Sequence, residues 1–340
     1  MFGTSTVLKR THMPPPREWK GPTLYDLIKV GFFAFGFPKN GFVSVDTTNR
    51  CNLRCRHCYF FEQDYEEKPE LTLDEWFAKF EALKKAEPWR FPFFQCTWVG
   101  GEPLLRKELI ERGRSFFMYN TVVTNGTMPL PNWPDVNWYV SIDGLEEHHE
   151  YIRKAKGIYK KIKRNIMNMT ADRGVTIACC LTKQNCGDIE ELVIEWSQVP
   201  GVKHMVFDFY TPIESIDDDL WPGWEMRDRT IDVLLEMKRL YGDFLVTPAR
   251  TFRMMKSENA AQVTENCLFE KKATSFAPNG EAKPKCMLGE KADCTRCGCV
   301  VPYYMASLTN RSFILGDHLA SVRNFFANVG TRSTSLTHAI

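Results

Sequence analysis

The sequence predicts an α/β fold in which a parallel sheet curls into a partial (β/α)6 barrel, similar to a TIM barrel, with a small cysteine-rich extension. Short apolar segments alternate with amphipathic helical patterns six times between residues 42 and 209, as is typical of parallel sheets with right-handed crossovers. Polar motifs follow these apolar segments, and such sheets bind ligands at the carboxyl ends of their strands. Past residue 245 the alternation stops and cysteines become frequent.

The composition indicates a folded globular protein. The 340-residue chain is 44% hydrophobic and 13% aromatic, which allows a large core, and its net charge of +2 gives no argument for nucleic acid as a partner. The first twenty residues lack the apolar core of a secretory signal, and no uninterrupted apolar span is long enough to cross a bilayer. We therefore expect a cytoplasmic protein.

Four regions are expected along the chain: an N-terminal arm and apolar helix (1–40), a core barrel (41–245), a cysteine-rich region (246–305) and a tail (306–340). The helix predicted at Leu24–Phe37 is apolar on most of its circumference. We expect it to pack on its own protein, and a peripheral membrane contact is the alternative.

Six strands and several helix boundaries are predicted. The strands are Phe42–Val45, Phe91–Val99, Thr121–Val123, Trp138–Ile142, Val175–Leu181 and His204–Phe209. Thr72 and Glu75 form a capping box that opens a helix, and Asp188 is expected to cap another. Gly242 is expected to end a helix within Trp221–Gly242.

A Cys-x3-Cys-x2-Cys loop follows the first strand and contains Cys51, Cys55 and Cys58. Thiolates are soft donors that suit iron–sulfur clusters. Three thiolates leave one iron of a four-iron cube open to a ligand that is not a side chain. The alternative is a zinc site, which needs a fourth ligand such as His57, awkwardly adjacent to Cys58.

Together with Gly100-Gly101-Glu102-Pro103 at the end of the second strand, this loop resembles the radical S-adenosylmethionine superfamily across roughly residues 40–210. The resemblance implies that the three cysteines hold a 4Fe-4S cluster and that S-adenosylmethionine chelates the open iron through its amino and carboxylate groups. It further implies that one electron cleaves S-adenosylmethionine to methionine and a 5'-deoxyadenosyl radical, which abstracts hydrogen from, or adds to, a substrate.

The cofactor contacts are expected at the strand ends. Gly100 and Gly101 lack side chains, so backbone can approach a ligand closely there, and Glu102 or nearby carbonyls could receive the methionine ammonium. Further contacts implied by the resemblance are Pro103, Thr124, Asn125, Ser141, Asp143 and Asn185. For Asn125 and Asn185 an ordinary turn role is the alternative.

A second cysteine group consists of Cys267, Cys286, Cys294, Cys297 and Cys299. It resembles the auxiliary-cluster extensions called SPASM or twitch domains, although its spacing matches neither. Thiolates of Cys267, Cys286, Cys294 and Cys297 could complete a second 4Fe-4S cluster, with Cys299 as the alternative to Cys297. A structural zinc is the competing interpretation. A fully ligated cluster favours electron transfer or a structural role over substrate binding.

The expected substrate is a small molecule or lipid. The order of barrel, amphipathic helix, Pro248–Phe252 and late cysteines shows a weaker resemblance to radical adenosyltransferases of hopanoid assembly. A ribosomally made peptide is the alternative, since auxiliary clusters are frequent in peptide maturases. A third interpretation, an iron–sulfur redox sensor or electron carrier, leaves Gly100–Pro103 with nothing to bind.

One surface is a candidate docking site. Lys160, Lys161, Lys163 and Arg164 lie on the outer face of a predicted helix. The face is either ordinary solvated surface or a contact for an acidic electron donor of the flavodoxin or ferredoxin type.

Overall fold

A single parallel sheet organises the part of the chain that the structure describes. This computed structural model describes residues 42–63, 68–86, 93–169, 174–214 and 218–309. The helix predicted at 24–37 and the tail beyond residue 309 lie outside these residues.

The sheet has seven strands, each parallel to its neighbours. The strands are β1 (Phe42–Asp46), β2 (Phe93–Val99), β3 (Phe117–Thr124), β4 (Val136–Ser141), β5 (Val175–Leu181), β6 (Val202–Phe209) and β7 (Ala273–Phe276). Their order is β6-β5-β4-β3-β2-β1-β7. All six predicted strands are present, and the predicted α/β fold is confirmed.

The seventh strand, β7, was not expected from the sequence. It comes from the cysteine-rich region and pairs with β1, from Phe42 opposite Ala273 to Val45 opposite Phe276. Four residues carry too short a pattern to predict a strand without knowledge of the partner. Part of the cysteine-rich region therefore shares a sheet with the strand that leads into the first cysteine loop, while the boundary near residue 245 stays a prediction.

Helices connect the strands and cover the sheet. They are α1 (Leu73–Ala86), α2 (Lys107–Gly113), α3 (Glu146–Arg153), α4 (Ile158–Met167), α5 (Ile189–Ser197), α6 (Gly223–Tyr241), α7 (Ala249–Met254), α8 (Ser257–Glu265), α9 (Leu268–Lys272) and α10 (Val300–Thr309). In the described residues, none of them is both long and apolar enough to span a membrane.

Two of the three predicted helix signals act as expected. Thr72 and Glu75 form the capping box, with Glu75 N 3.3 Å from Thr72 Oγ1 and Thr72 N 2.7 Å from Glu75 Oε2. Gly242 follows α6 at φ +55°. The cap expected at Asp188 is wrong in its chemistry: Asp188 occupies the N-cap position of α5, but its carboxylate accepts instead from Leu145 N and pairs with His148.

Large aromatic side chains fill the core between sheet and helices, and two of the fully buried tryptophans are hydrogen-bonded to other side chains. Trp98 and Trp196 are fully buried. Trp98 Nε1 donates to Asn120 Oδ1 at 3.0 Å, and Trp196 Nε1 donates to Tyr159 Oη at 2.9 Å. Packing of this kind gives the carboxyl ends of the strands a rigid support.

Candidate active site and second cysteine group

The first cysteine loop begins where β1 ends and is fastened to the end of β2. Gly101 N donates to Thr48 O at 2.9 Å, and Glu102 N donates to Arg50 O at 2.8 Å. Gly100 has φ +112°, and a Cβ on Gly101 would lie 2.0 Å from Arg50 O. Only glycine fits in either place. The close backbone approach expected here is made by the cysteine loop itself, and direct cofactor contact at these glycines stays a prediction.

Glu102 braces two strand ends from inside the protein. It is 1% exposed. Its Oε1 accepts from Thr124 Oγ1 at 2.7 Å and from Leu104 N at 3.1 Å, and its Oε2 accepts from Asn125 N at 2.9 Å. Burial raises the pKa of this carboxyl. The carboxylate thus ties β2 to β3, and recognition of a methionine ammonium by Glu102 remains a prediction.

The three thiols of the loop are reduced, partly buried and approached by polar groups. Asn125 Nδ2 donates to Cys51 Sγ and Arg153 Nη1 donates to Cys55 Sγ, both at 3.9 Å. Burial raises the pKa of all three thiols, to about 11 for Cys58. Thiolates are soft donors that suit iron–sulfur clusters, so the donor set fits a cluster.

The zinc alternative for this loop needs a fourth ligand such as His57. Among the described residues, no group of three His, Cys, Asp or Glu side chains is close enough to hold a metal ion. His57, the fourth ligand of the zinc alternative, directs Nε2 at Asp143 Oδ2, 3.3 Å away.

Asp143 pairs with the charged side chains near Cys55. Arg153 Nε donates to its Oδ2 at 2.6 Å, and Cys180 N donates to its Oδ1 at 3.0 Å. Burial would raise the pKa of Asp143, but the charges of Arg153 and His57 hold it well below the usual range. Asp143 is therefore an ionised, fully buried anchor that positions Arg153 beside a thiol.

Arg153 and His149 are site residues that the sequence analysis missed. His149 Nδ1 accepts from Asp143 N at 3.0 Å, and burial together with the charge of Arg153 lowers the pKa of His149 to about 3. The two residues are four apart in α3, which starts directly after the strand-end Asp143-Gly144. That spacing places both on one helical face next to the strand end, and is the signal that could have found them.

Asn125 holds the turn after β3 and also reaches the cysteine loop. Its Oδ1 accepts from Thr127 N at 3.0 Å, and its Nδ2 donates to Asn52 Oδ1 at 2.8 Å. The turn role is therefore real, and it coexists with the contact to Cys51. A further contact from Asn125 to a bound nucleotide stays a prediction.

Asn185 and Ser141 lie at neighbouring strand ends. Asn185 is fully buried; its Oδ1 accepts from Thr182 N at 2.6 Å and its Nδ2 donates to Cys180 O at 2.9 Å. Its amide thus closes the turn after β5. Ser141 is the last residue of β4 and is 9% exposed, and Pro103 begins the short turn after Glu102. Cofactor contacts by these residues remain predictions.

The second cysteine group surrounds one cavity. All five of its thiols line that cavity: Cys267, Cys286, Cys294, Cys297 and Cys299. The segment Cys297–Cys299 lies against the end of β6, where Phe209 N donates to Gly298 O at 2.9 Å. A Cβ on Gly298 would lie 1.9 Å from Phe209 O. The structure therefore gathers the predicted group at the carboxyl end of β6.

The thiols of this cavity are free and at least partly buried. None belongs to a disulfide. Burial raises the pKa of Cys286 to about 11 and that of Cys297 to about 12, and raises that of Cys299 well above its usual range. Cysteine thiolates are soft donors that suit iron–sulfur clusters and zinc, so this donor set fits either kind of centre. Which four of the five would bind stays a prediction.

A buried ion pair and a tyrosine lie between the two cysteine groups. Lys283 Nζ is 2.7 Å from Asp46 Oδ2, and both side chains are almost fully buried. Lys283 also lies 5.5 Å from the centre of the Tyr59 ring. Burial, and then the charges of Asp46, Cys58 and Cys286, raise the pKa of Tyr59. Cys58 of the first group and Cys286 of the second therefore both influence the pKa of Tyr59.

These features define the chain as a parallel α/β protein that carries two groups of free cysteines at the carboxyl ends of its strands. Residues 45–193 match the family model described as the radical SAM superfamily. This stretch of the chain is therefore similar to the radical S-adenosylmethionine superfamily, in agreement with the resemblance carried by the cysteine loop and Gly100–Pro103.

Two curated relatives resemble the chain in sequence, and a solved structure shares its fold. The chain is 28% identical over 221 residues to the Fe-coproporphyrin III synthase of Methanosarcina barkeri, covering 60% of this chain and 53% of that protein. It is 30% identical over 206 residues to the pre-heme d1 synthase of Dinoroseobacter shibae, covering 57% and 46%. The chain thus spans about half the length of these relatives. Streptococcus suis SuiB bound to its precursor peptide SuiA shares the fold, with a TM-score of 0.51 at 11% identity over 87% of this chain and 73% of that one.

Proposed function

We propose that the chain is a radical S-adenosylmethionine enzyme in which Cys51, Cys55 and Cys58 hold a 4Fe-4S cluster with one iron left for S-adenosylmethionine. When bound, the cluster supplies the electron that cleaves this cofactor to methionine and a 5'-deoxyadenosyl radical. The observation that carries the proposal is the position of the three partly buried, reduced thiols at the carboxyl edge of the sheet, inside the matched family region.

The surrounding residues prepare this loop for a cluster. The hydrogen bond from Gly101 to Thr48 fixes the start of the loop against β2. Arg153, held by Asp143, places a buried positive charge beside Cys55, which favours the thiolate over the thiol. The amide of Asn125 donates toward Cys51, and such hydrogen bonds tune the potential of iron–sulfur clusters.

A small molecule is the favoured substrate class, and tetrapyrroles are the first chemistry to test. The two curated relatives described above have names that refer to tetrapyrrole products, whereas two further relatives are named as a sulfatase-maturating enzyme and a killing factor maturation protein. A lipid is retained as the other apolar candidate. A ribosomally made peptide is the alternative, and it is supported by the fold shared with a peptide-bound SuiB.

The second cysteine group is proposed to hold an auxiliary 4Fe-4S cluster that is fully ligated by the protein. Its four thiolates would be Cys267, Cys286, Cys294 and either Cys297 or Cys299. The common cavity that these five cysteines line supports this arrangement. A structural zinc would use the same donors, so metal analysis has to separate the two.

An acidic flavodoxin or ferredoxin is proposed as electron donor, and the cytoplasm as the compartment. Two cations of the candidate docking face already have partners within the protein, Lys160 with Glu146 at 2.8 Å and Lys163 with Glu195 at 2.9 Å. The face would therefore contribute only a weak, salt-sensitive attraction.

The proposal is tested by anaerobic purification of the full chain, followed by iron and sulfide analysis and incubation with dithionite and S-adenosylmethionine. We expect close to eight irons per chain if both centres are 4Fe-4S clusters, and release of 5'-deoxyadenosine. A fully iron-loaded protein that forms no 5'-deoxyadenosine refutes the enzyme proposal. An electron paramagnetic resonance spectrum that S-adenosylmethionine leaves unchanged favours the redox sensor or electron carrier.

The substrate class is tested by measuring how candidate compounds change the rate of 5'-deoxyadenosine formation. We expect a tetrapyrrole carboxylic acid to raise the rate several-fold over the substrate-free reaction and to be modified itself, as seen by mass spectrometry. Stimulation by a precursor peptide, with no response to tetrapyrroles or lipids, supports the maturase alternative.

A further inference from the structure

Arg227, in α6, is a fully buried cation with no carboxylate partner among the described residues. Its side chain is 0% exposed. Nη1 donates to Cys297 O at 2.7 Å, whereas Nε and Nη2 make no hydrogen bond within the described part of the chain. A buried charge is costly unless an opposite charge or a full set of hydrogen bonds compensates it. The protein residues described supply only part of that compensation.

Three aromatic rings surround this guanidinium. Its Cζ lies 5.0 Å from the ring centres of Phe209 and Trp224 and 5.3 Å from that of Tyr303. Tyr303 Oη also donates to Cys297 O at 2.9 Å. Cation–π attraction offsets part of the cost of burial. It does not provide the anionic acceptor that two unmatched guanidinium nitrogens favour.

The cavity of the second cysteine group begins at the residue that Arg227 contacts. Cys297 lines that cavity, and the charge of Arg227 acts on the Cys297 thiol. Other nearby cations are already neutralised or exposed: Lys283 and Arg296 each pair with an aspartate, and Lys285 lies on the surface. Within the described residues, Arg227 is thus a fully buried cation that contacts the cavity-lining residue Cys297 and has no carboxylate partner of its own.

We propose that Arg227 is the internal counter-cation of a thiolate-ligated metal centre in this cavity, and that its charge raises the reduction potential of that centre. The inference rests on the proposed function, in which these cysteines hold a metal. Four thiolates outweigh the positive charge of a 4Fe-4S cube, so the bound centre is an anion. A one-electron reduction adds another negative charge, and a fixed buried cation stabilises that reduced form more than the oxidised form.

A second consequence concerns the metal-free protein. Without a metal, Arg227 is a buried cation with no carboxylate partner among the described residues. The charge therefore destabilises the metal-free fold and stabilises the loaded fold. A role limited to holding α6 to Cys297 and the aromatic rings would stabilise both forms alike.

The potential is measured on the full chain with Cys51, Cys55 and Cys58 replaced by alanine, so that the paramagnetic signal belongs to the second group. Arg227→Met should change the reduced-to-oxidised ratio at a fixed potential at least tenfold toward the oxidised form, or about 59 mV for a one-electron couple. Arg227→Lys keeps the charge, and Lys285→Met removes an exposed cation at the same cavity. Both controls should change the ratio less than threefold.

An unshifted potential in an iron-loaded Arg227→Met variant overturns the role of Arg227 and leaves the proposed second centre intact. If the parent binds zinc instead, the same argument predicts at least a tenfold loss of zinc affinity in Arg227→Met, measured against a competing chelator. Should the parent bind neither metal at these cysteines, the second centre itself is wrong, and this role fails with it.

If Arg227→Met binds no metal, thermal unfolding of the metal-free proteins tests whether Arg227 is a counter-cation or only a structural residue. We expect Arg227→Met to melt above its metal-free parent and Arg227→Lys to melt near it. A metal-free Arg227→Met protein that melts below the parent supports the purely structural role and overturns the proposal.

Discussion

The two cysteine groups lie at the same edge of one sheet but are built in different ways. The first takes three thiols from a single loop, Cys51–Cys58, which continues directly from β1. The second gathers five thiols from Cys267–Cys299 around a cavity at the end of β6. In both groups a glycine packs closely against a backbone carbonyl. Gly101 packs against that of Arg50, and Gly298 packs against that of Phe209.

The difference in thiol number indicates a division of labour. Three thiols cannot complete a four-iron cube, so the first group leaves a position for a reacting ligand, whereas the second has enough thiols to close its centre. The two groups also differ in the cation that lies beside their thiols. The cation beside Cys55 is Arg153, which is paired with Asp143, and the cation beside Cys297 is Arg227, which has no carboxylate partner in the described residues.

Replacing each group separately is expected to have the largest effect and tests the division directly. Alanine at Cys51, Cys55 and Cys58 should abolish 5'-deoxyadenosine formation and roughly halve the iron content. Alanine at all five cysteines of the second group should remove the other half of the iron but leave measurable 5'-deoxyadenosine formation, because the first loop is fastened to β2 independently.

Cys186→Ala is the matched control, since Cys186 is a half-buried cysteine outside both groups. It should keep full iron and full product formation. Persistent 5'-deoxyadenosine formation in the first variant would break the comparison, since chemistry could then not be assigned to the three-thiol loop.

The sequence predicts what depends on neighbouring residues and misses what depends on distant ones. The cysteine loop, the glycine pair and the capping box at Thr72 are local patterns, and six strands follow from local hydrophobic alternation. β7 is decided by pairing with β1, more than 200 residues earlier in the chain. Arg227 looks like a surface residue in a helix sequence, and only packing by α10 and β6 shows that it is buried.

Glu102 shows the same limit inside a motif that the sequence does reveal. Its position marks a ligand-binding turn, but its hydrogen-bond partners at Thr124 and Asn125 come from the next strand. The interpretation as an ammonium acceptor therefore competes with a bracing role that becomes visible only when β2 and β3 are placed side by side.

The second prediction concerns Gly101 and Gly298, the two glycines that pack against a backbone carbonyl. Gly101→Ala and Gly298→Ala each force a methyl group against a backbone carbonyl that cannot rotate away. Each should lower the free energy of unfolding by about 3 kcal/mol or more. Gly101→Ala should also lose 5'-deoxyadenosine formation, whereas Gly298→Ala should keep it and lose iron from the second group. Chemical unfolding, iron analysis and product assay measure these outcomes.

Gly187→Ala is the control for the glycine variants, because a Cβ there meets no atom within 4 Å and no unusual φ is required. It should unfold like the parent. Equal loss of product in Gly101→Ala and Gly298→Ala, with both proteins folded, would show that the two groups are not separable.

The smallest expected effect is acid sensitivity that is specific to the first group. His149 takes up a proton at about pH 6.5 in the unfolded chain but only at a pKa of about 3 in the fold, where burial and Arg153 oppose its charge. Its contribution to stability is therefore present above pH 6.5 and is lost as the pH falls toward 3. Between pH 6.5 and 4.5 this loss amounts to about 2–3 kcal/mol.

The variant His149→Gln tests this in the metal-free protein, because glutamine can still accept from Asp143 N. Between pH 6.5 and 4.5 its free energy of unfolding should fall by about 2–3 kcal/mol less than that of the parent. His204→Gln, outside the network, should lose as much as the parent, and equal acid losses in all three proteins would mean that His149 is not held neutral beside the cysteine loop.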